Sequence, residues 1–182
     1  VIDKRNGEGA MVAGTNLEAN IAYGRKFLIQ SGVTLQRTQY AVTEELWAPE
    51  DSSDPTPATT TDRLLRTPDA YGYFSIIYKP IRNLMIAYSG TITGAMDVPH
   101  VIDVDTEHTI IERTPTFFDN NIKVSYDFQL QKDYHLNIFG GVQNIFNSYQ
   151  NDFDTGANRD AGYVYGPLRP RTFFMGIKFG LN

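Results

Sequence analysis

The closing stretch of the chain, residues 169–182, alternates almost without error. Arg171, Phe173, Met175, Ile177, Phe179 and Leu181 fall on one face of a strand. Thr172, Phe174, Gly176, Lys178, Gly180 and Asn182 fall on the other. Successive strand side chains point to opposite faces, so this segment has one greasy face and one small or polar face. A soluble sandwich would turn the greasy face into a core. An outer-membrane barrel would turn it to lipid and line its lumen with the polar face.

The same period of two recurs along the chain and predicts about seven strands and little helix. The first spans residues 14–23, with Thr15, Leu17, Ala19, Ile21 and Tyr23 opposed to Asn16, Glu18 and Asn20, and ends in a tight turn at Gly24-Arg25-Lys26. The second spans 27–40, setting Phe27, Ile29, Val33 and Leu35 against Gln30, Thr34, Gln36 and Thr38. The third, 70–79, is apolar on both faces; Phe74, Ile76 and Tyr78 are assigned outward. A turn at Pro80-Ile81-Arg82-Asn83 leads to the fourth, 84–94. The fifth, 116–128, alternates Phe118, Ile122, Val124, Tyr126 and Phe128 with Asp119, Asn121, Lys123, Ser125 and Asp127. A polar stretch, 129–134, precedes the sixth strand, 135–147.

Between these strands the connections alternate short and long. The long ones are 41–69, 95–115 and 148–168. Outer-membrane barrels have tight periplasmic turns, long outer loops and strands of about 9–11 residues, and this rhythm places every long connection outside. Asp119, Asn121, Lys123 and Asp127 make one strand face too hydrophilic for a core, and they suit a hydrated lumen. The expected fold is therefore all-β, an antiparallel transmembrane β-barrel segment. Single-chain bacterial barrels have even strand numbers. An odd count, and an opening Val1-Ile2-Asp3-Lys4-Arg5 without an initiator Met or a signal pattern, make residues 1–182 the expected C-terminal part of one larger barrel domain.

Composition agrees and excludes some alternatives. Tyr and Phe number eleven each beside 15 Gly, which leans toward β structure. No apolar run is long enough for a helical span, and a mean hydropathy of −0.33 says little where lipid-facing and lumen-facing residues alternate. A net charge of −5 argues against nucleic acid as a partner. With no cysteine, disulfide scaffolds, thiol nucleophiles and Cys metal sites are excluded.

Three segments carry a family resemblance. Gly141-Val142-Gln143-Asn144-Ile145-Phe146-Asn147 resembles the penultimate-strand motif of TonB-dependent outer-membrane receptors. The run from Arg169-Pro170-Arg171 through Thr172-Phe173-Phe174-Met175-Gly176-Ile177-Lys178-Phe179 resembles their closing strand. Gly14-Thr15-Asn16-Leu17-Glu18 is similar to a Gly…Glu pattern in an earlier strand of the same barrels. The resemblance implies a barrel of about 22 strands around an N-terminal plug, of which this chain supplies about the last seven strands and three outer loops. It further implies an outer-membrane location with the long loops extracellular, and uptake of a scarce, bulky solute: siderophore-bound iron, haem, cobalamin or a glycan. The implied partners are outer-membrane lipid, the small-molecule or chelate substrate, and the TonB complex through the absent N-terminal part. One departure stands: the family ends on an aromatic residue, whereas Gly180-Leu181-Asn182 follow Phe179 here. Either barrel assembly tolerates that tail or Phe179 serves in its place. A passive porin or adhesin barrel is the alternative within membranes, and a soluble β-sandwich binding module, for example for glycans, the alternative outside them.

Catalysis has little support in the sequence. There is no Gly-x-Ser-x-Gly elbow, no His-Glu-x-x-His and no phosphate-cradling glycine loop, so no enzyme and no cofactor is expected. Loop residues His100, Asp103, Asp105, Glu107 and His108 invite a metal reading. Ile102, Val104 and Ile110 interleave with them as in a solvated extended hairpin, which is the reading taken. Asn151-Asp152-Phe153-Asp154-Thr155-Gly156 has part of a calcium-loop pattern but lacks the closing bidentate Glu; a polar turn is expected, and no metal site. For ligand binding the candidates are Trp47, His100, Arg113, Tyr163 and Tyr165, since exposed aromatics and Arg carry binding energy at recognition surfaces. Tyr40, at a strand end, fits an interfacial aromatic girdle instead.

Overall fold

The computed structural model describes residues 7–131 and 134–181. Seven long strands form one antiparallel meander: β1 (Ala10–Tyr23), β2 (Phe27–Tyr40), β5 (Ala70–Tyr78), β6 (Leu84–Thr93), β9 (Phe117–Gln131), β10 (Tyr134–Gln143) and β11 (Thr172–Leu181). Four short strands sit within the long connections. These are β3 (Glu44–Trp47) with β4 (Thr59–Thr61), and β7 (Asp97–Asp103) with β8 (His108–Arg113). No helix occurs among the described residues, and the sheet is open, with β1 and β11 at its edges.

Each expected long strand is present; β2 keeps its expected bounds, 27–40, and the others shift at one or both ends. β1 starts at Ala10 because its pairing with β2 runs unbroken from Ala10↔Tyr40 to Tyr23↔Phe27. Gly24 then turns the chain with φ 56°, a left-handed conformation that glycine adopts without a Cβ clash. The expected polar stretch 129–134 is mostly strand, since β9 continues through Gln131 and β10 begins at Tyr134; residues 132 and 133 lie outside the described set. β10 stops at Gln143 rather than 147, because Asn144 and Asn147 take positive φ values of 49° and 57° and turn the chain away. β11 begins at Thr172, not 169.

Register sorts the faces. Across all seven strands runs the row Ile21, Ile29, Ile76, Tyr88, Ile122, Val142 and Phe173, each paired with the next. A neighbouring row is Tyr23, Phe27, Tyr78, Ile86, Val124, Gly140 and Met175. These rows place Phe74, Ile76 and Tyr78 on the common apolar face, as the sequence assignment has it. The opposite face carries Asn20, Gln30, Ser75, Ser89 and Asn121 in another continuous row.

The apolar face is broadly exposed: Phe173 is 75%, Met175 84% and Ile177 67% accessible on β11, and Leu17 63% on β1. Polar residues also occur on this face, and near the loop end one of them is Asn120. It is fully buried there and donates from Nδ2 to the Tyr88 hydroxyl at 2.8 Å.

An antiparallel meander sends successive connections to opposite ends. Residues 41–69 (loop 1), 94–116 (loop 2) and 144–171 (loop 3) therefore share one end, and the short turns share the other.

Candidate functional site

The well-packed core of this protein lies in the loops. Met96, Val98 and Tyr163 form a buried cluster with Tyr165 against it, and Phe117 is buried nearby. Loop 2 supplies its share through the β7–β8 hairpin. Period two puts Val98 and His100 on one side of β7, and the hairpin base is closed by the Met96 and Thr114 backbones, with Met96 N also donating to Thr114 Oγ1 at 3.0 Å.

Loop 3 is shaped from within by Gln150, which is 1% exposed. Its Oε1 accepts from the backbone N–H groups of Tyr165 and Gly166, and its Nε2 donates to Tyr163 O at 3.1 Å. An amide so placed satisfies backbone groups that have no ladder to join. Held this way, the Tyr163 and Tyr165 hydroxyls both donate to Asp152 Oδ2. Burial, with Asp152 alongside, raises the pKa of both phenols.

His100 joins the two loops. Its ring stacks on Tyr163 with centroids 3.8 Å apart and planes 12° from parallel. Nε2 lies 3.0 Å from Asp154 Oδ2, and Nδ1 lies 4.0 Å from Glu112 Oε1. Asp154 also accepts from Asp160 N, and that backbone bond, with His100 next, holds its carboxyl below the usual range. Asp160 Oδ2 in turn accepts from Val101 N at 3.0 Å.

Loop 1 is tied in through three arginines, two of its own and Arg113 of loop 2. Arg63 pairs with Asp69 and approaches Asp97 at 3.8 Å, while Arg113 donates to Asp97 Oδ1 at 2.7 Å and reaches Asp69 at 3.9 Å. Arg66 reaches further, donating from Nη1 to Val164 O at 2.8 Å and from Nη2 to Gly162 O at 2.6 Å. Trp47 stacks on His108 at 3.9 Å, and its indole N–H donates to Thr106 O at 3.1 Å.

Of the five sequence candidates, the structure brings three together: His100, Tyr163 and Tyr165. Arg113 belongs to the neighbouring Asp69–Asp97 ion cluster. Trp47 stands apart at the tip of the β7–β8 hairpin, on a cleft of about 690 Å³ that also presents Glu50, Asp54, Asp105 and Glu107. Tyr163 is only 6% exposed, so its aromatic surface serves packing between loops. The 151–156 segment supplies acceptors, Asp152 and Asp154, to tyrosine and histidine partners. Among the described residues no group of three or more His, Asp or Glu side chains is arranged to hold a metal ion.

Sequence reasoning missed Gln150, Asp152 as an acceptor, and Arg66. Gln150 and Asp152 find their partners 11 to 16 residues away within loop 3, and Arg66 finds its carbonyls 96 and 98 residues away, so no local pattern marks them. It also left unread a second polar cleft of about 600 Å³, on the polar sheet face beneath loop 3, lined by Ser89, Asp119, Asn121, Gln143 and Arg169 among others.

The segment that carries the family resemblance has a structural task. Asn144 Nδ2 donates to Arg169 O at 2.9 Å and to Ser148 O, its Oδ1 accepts from Ser148 N, and its own N–H donates to Asn121 Oδ1. Asn147 Oδ1 accepts from Arg171 N at 2.9 Å. Together the two asparagines fix where β11 begins. No family model matches the chain, and a comparison with curated proteins finds no match.

Proposed function

We propose that these seven strands are part of the wall of an outer-membrane β-barrel of the TonB-dependent receptor type, and that the loop cap helps capture a scarce, bulky solute at the cell surface. The observation that carries this reading is the pair of unbroken apolar rows across all seven strands, opposed by a polar row on the other face. A single-layer sheet with such a face needs either a second layer or lipid. Lipid demands that every backbone group be paired, which a closed barrel satisfies, and the open edges at β1 and β11 are where further strands would join. The packed loops at one end, beyond the sheet, agree with an outer cap on a rigid scaffold. Under this reading the solute is a siderophore–iron complex, haem, cobalamin or a glycan, and the plug and TonB contacts belong to other parts of the receptor.

Single cysteines at Ser53, Thr106 and Ala157, in a full-length background with any other cysteine replaced, test the topology. A membrane-impermeant thiol reagent on intact cells should label all three and spare a cysteine replacing Asn83. Labelling at Asn83 alone would invert the topology. Recovery of the full-length protein in the soluble fraction without detergent would favour the sandwich.

A further inference from the structure

Arg66, in loop 1, hydrogen-bonds to both other loops. Its backbone N–H donates to Asp97 O at 2.8 Å, at the start of the β7–β8 hairpin. Its guanidinium donates to two carbonyls of loop 3, Val164 and Gly162. Those carbonyls flank Tyr163, whose ring stacks on His100 from loop 2. Arg66 therefore closes a ring of contacts running from loop 1 to loop 2, from loop 2 to loop 3, and back.

Its backbone conformation sets it apart as well. Arg66 has φ 56°, a left-handed value that costs a side-chain-bearing residue energy and persists only where surrounding contacts hold it. The flanking chain is braced by Thr67 Oγ1 donating to Leu65 O at 3.1 Å. A glycine would meet the backbone requirement at lower cost, so the arginine there has its use in the guanidinium. Both acceptors are neutral carbonyls, and a guanidinium's fixed planar fork can serve two of them at once.

We propose that Arg66 is the positioning residue of the cap, a latch that holds the three loops in one arrangement and whose release frees loop 3 from loop 1. The latch differs in kind from the adjacent Arg63–Asp69–Asp97–Arg113 cluster. That cluster pairs opposite charges and joins loops 1 and 2. The latch pairs a permanent cation with neutral oxygens and joins loops 1 and 3, so it stays made where carboxylates are protonated. It needs no particular solute and stands apart from the transport reading.

Hydrogen exchange on the full-length protein in detergent, comparing wild type with Arg66→Gly and Arg66→Ala, tests this. Glycine keeps the left-handed backbone and removes only the guanidinium. In Arg66→Gly, amides 162–166 should exchange about tenfold faster, the effect of losing one or two hydrogen bonds to a charged donor, while β9 and β10 are unchanged. In Arg66→Ala the backbone bond to Asp97 should weaken too, spreading faster exchange to residues 96–101. Arg66→Lys should fall between wild type and glycine, because one ammonium cannot reproduce the fork. Wild-type exchange at 162–166 in Arg66→Gly, or an effect confined to 64–68, would overturn the proposal. So would exchange raised equally in the sheet, which would mark Arg66 as a general stability residue.

Discussion

The ring of Phe139 on β10 lies across Gly176 of β11, so close that a Cβ built on Gly176 would run into the ring's Cζ. The two residues are direct cross-strand partners on the polar face, and Lys123 caps the same ring with its Nζ 4.5 Å from the centroid. An aromatic ring laid over a glycine shields backbone that has no side chain of its own. Gly176→Val should therefore destabilise the full-length protein by about 1–3 kcal/mol through overpacking. Pairing it with Phe139→Ala should restore part of that loss, as a double-mutant cycle of denaturant unfolding would show. Additive costs would mean that the ring and the glycine are independent.

Asn144 offers a cleaner separation of backbone from side chain. Asn144→Ala removes the bonds to Arg169 and Ser148 and also forces alanine into a left-handed conformation. The lost bonds should cost about 1–3 kcal/mol. Asn144→Gly should be milder by about 1 kcal/mol, since only the conformational part is relieved. Thermal unfolding of the two variants in detergent checks the order.

Side-chain facing on β11 can be tested through charge. If the apolar face meets lipid, Ile177→Arg near mid-depth should cost about 2–4 kcal/mol, and Thr172→Arg on the polar face much less. The measurement is folding of full-length variants into lipid vesicles. Equal costs, or the reverse order, would contradict the facing derived from the register.

The loop cap should respond to pH at both extremes. Asp154 is held below its ordinary value by Asp160 N–H and His100. Its contribution is therefore fully present above the unfolded carboxylate value of about 3.9 and is lost as pH falls through the lower folded value. Tyr163 and Tyr165 are shifted the other way. Their contribution is present below the unfolded phenol value of about 10 and declines as pH rises beyond it. Proteolytic cleavage within loop 3 should stay flat through neutral pH and rise below about pH 4 and above about pH 10. Asp154→Asn should flatten the acid limb, and Tyr165→Phe the alkaline one.

What was legible in the sequence was what repeats locally. Ile21, Ile29, Ile122 and Phe173 each sit in a two-residue period, and their strands are where that period places them. β5 was the ambiguous case, being apolar on both faces; only its pairing with β2 and β6 puts Ile76 between Ile29 and Tyr88. The site was far less legible. Val98 and His100 lie in an alternating run, so a hairpin was foreseeable, but nothing local says that Tyr163 stacks on His100 or that Arg66 reaches Gly162. Trp47 and Tyr163 were both candidate ligand-facing aromatics; the structure buries Tyr163 between loops, while Trp47 stacks on His108 and also lines a cleft. The asparagines of the 141–147 segment were read as part of a strand. Their left-handed backbone is set by the turn into loop 3, which period two cannot express.

A buried cluster drawn from Met96, Val98 and Tyr163 also bears on how the loop end could be re-engineered. Loops that pack independently can be exchanged one at a time, like interchangeable fittings on a frame. Here a transplanted loop 3 would arrive without the His100 face that Tyr163 rests on and without the arginine that grips its carbonyls. The unit that can be grafted or recombined is the trio, and a new sequence introduced into one loop must be accommodated by substitutions in the other two.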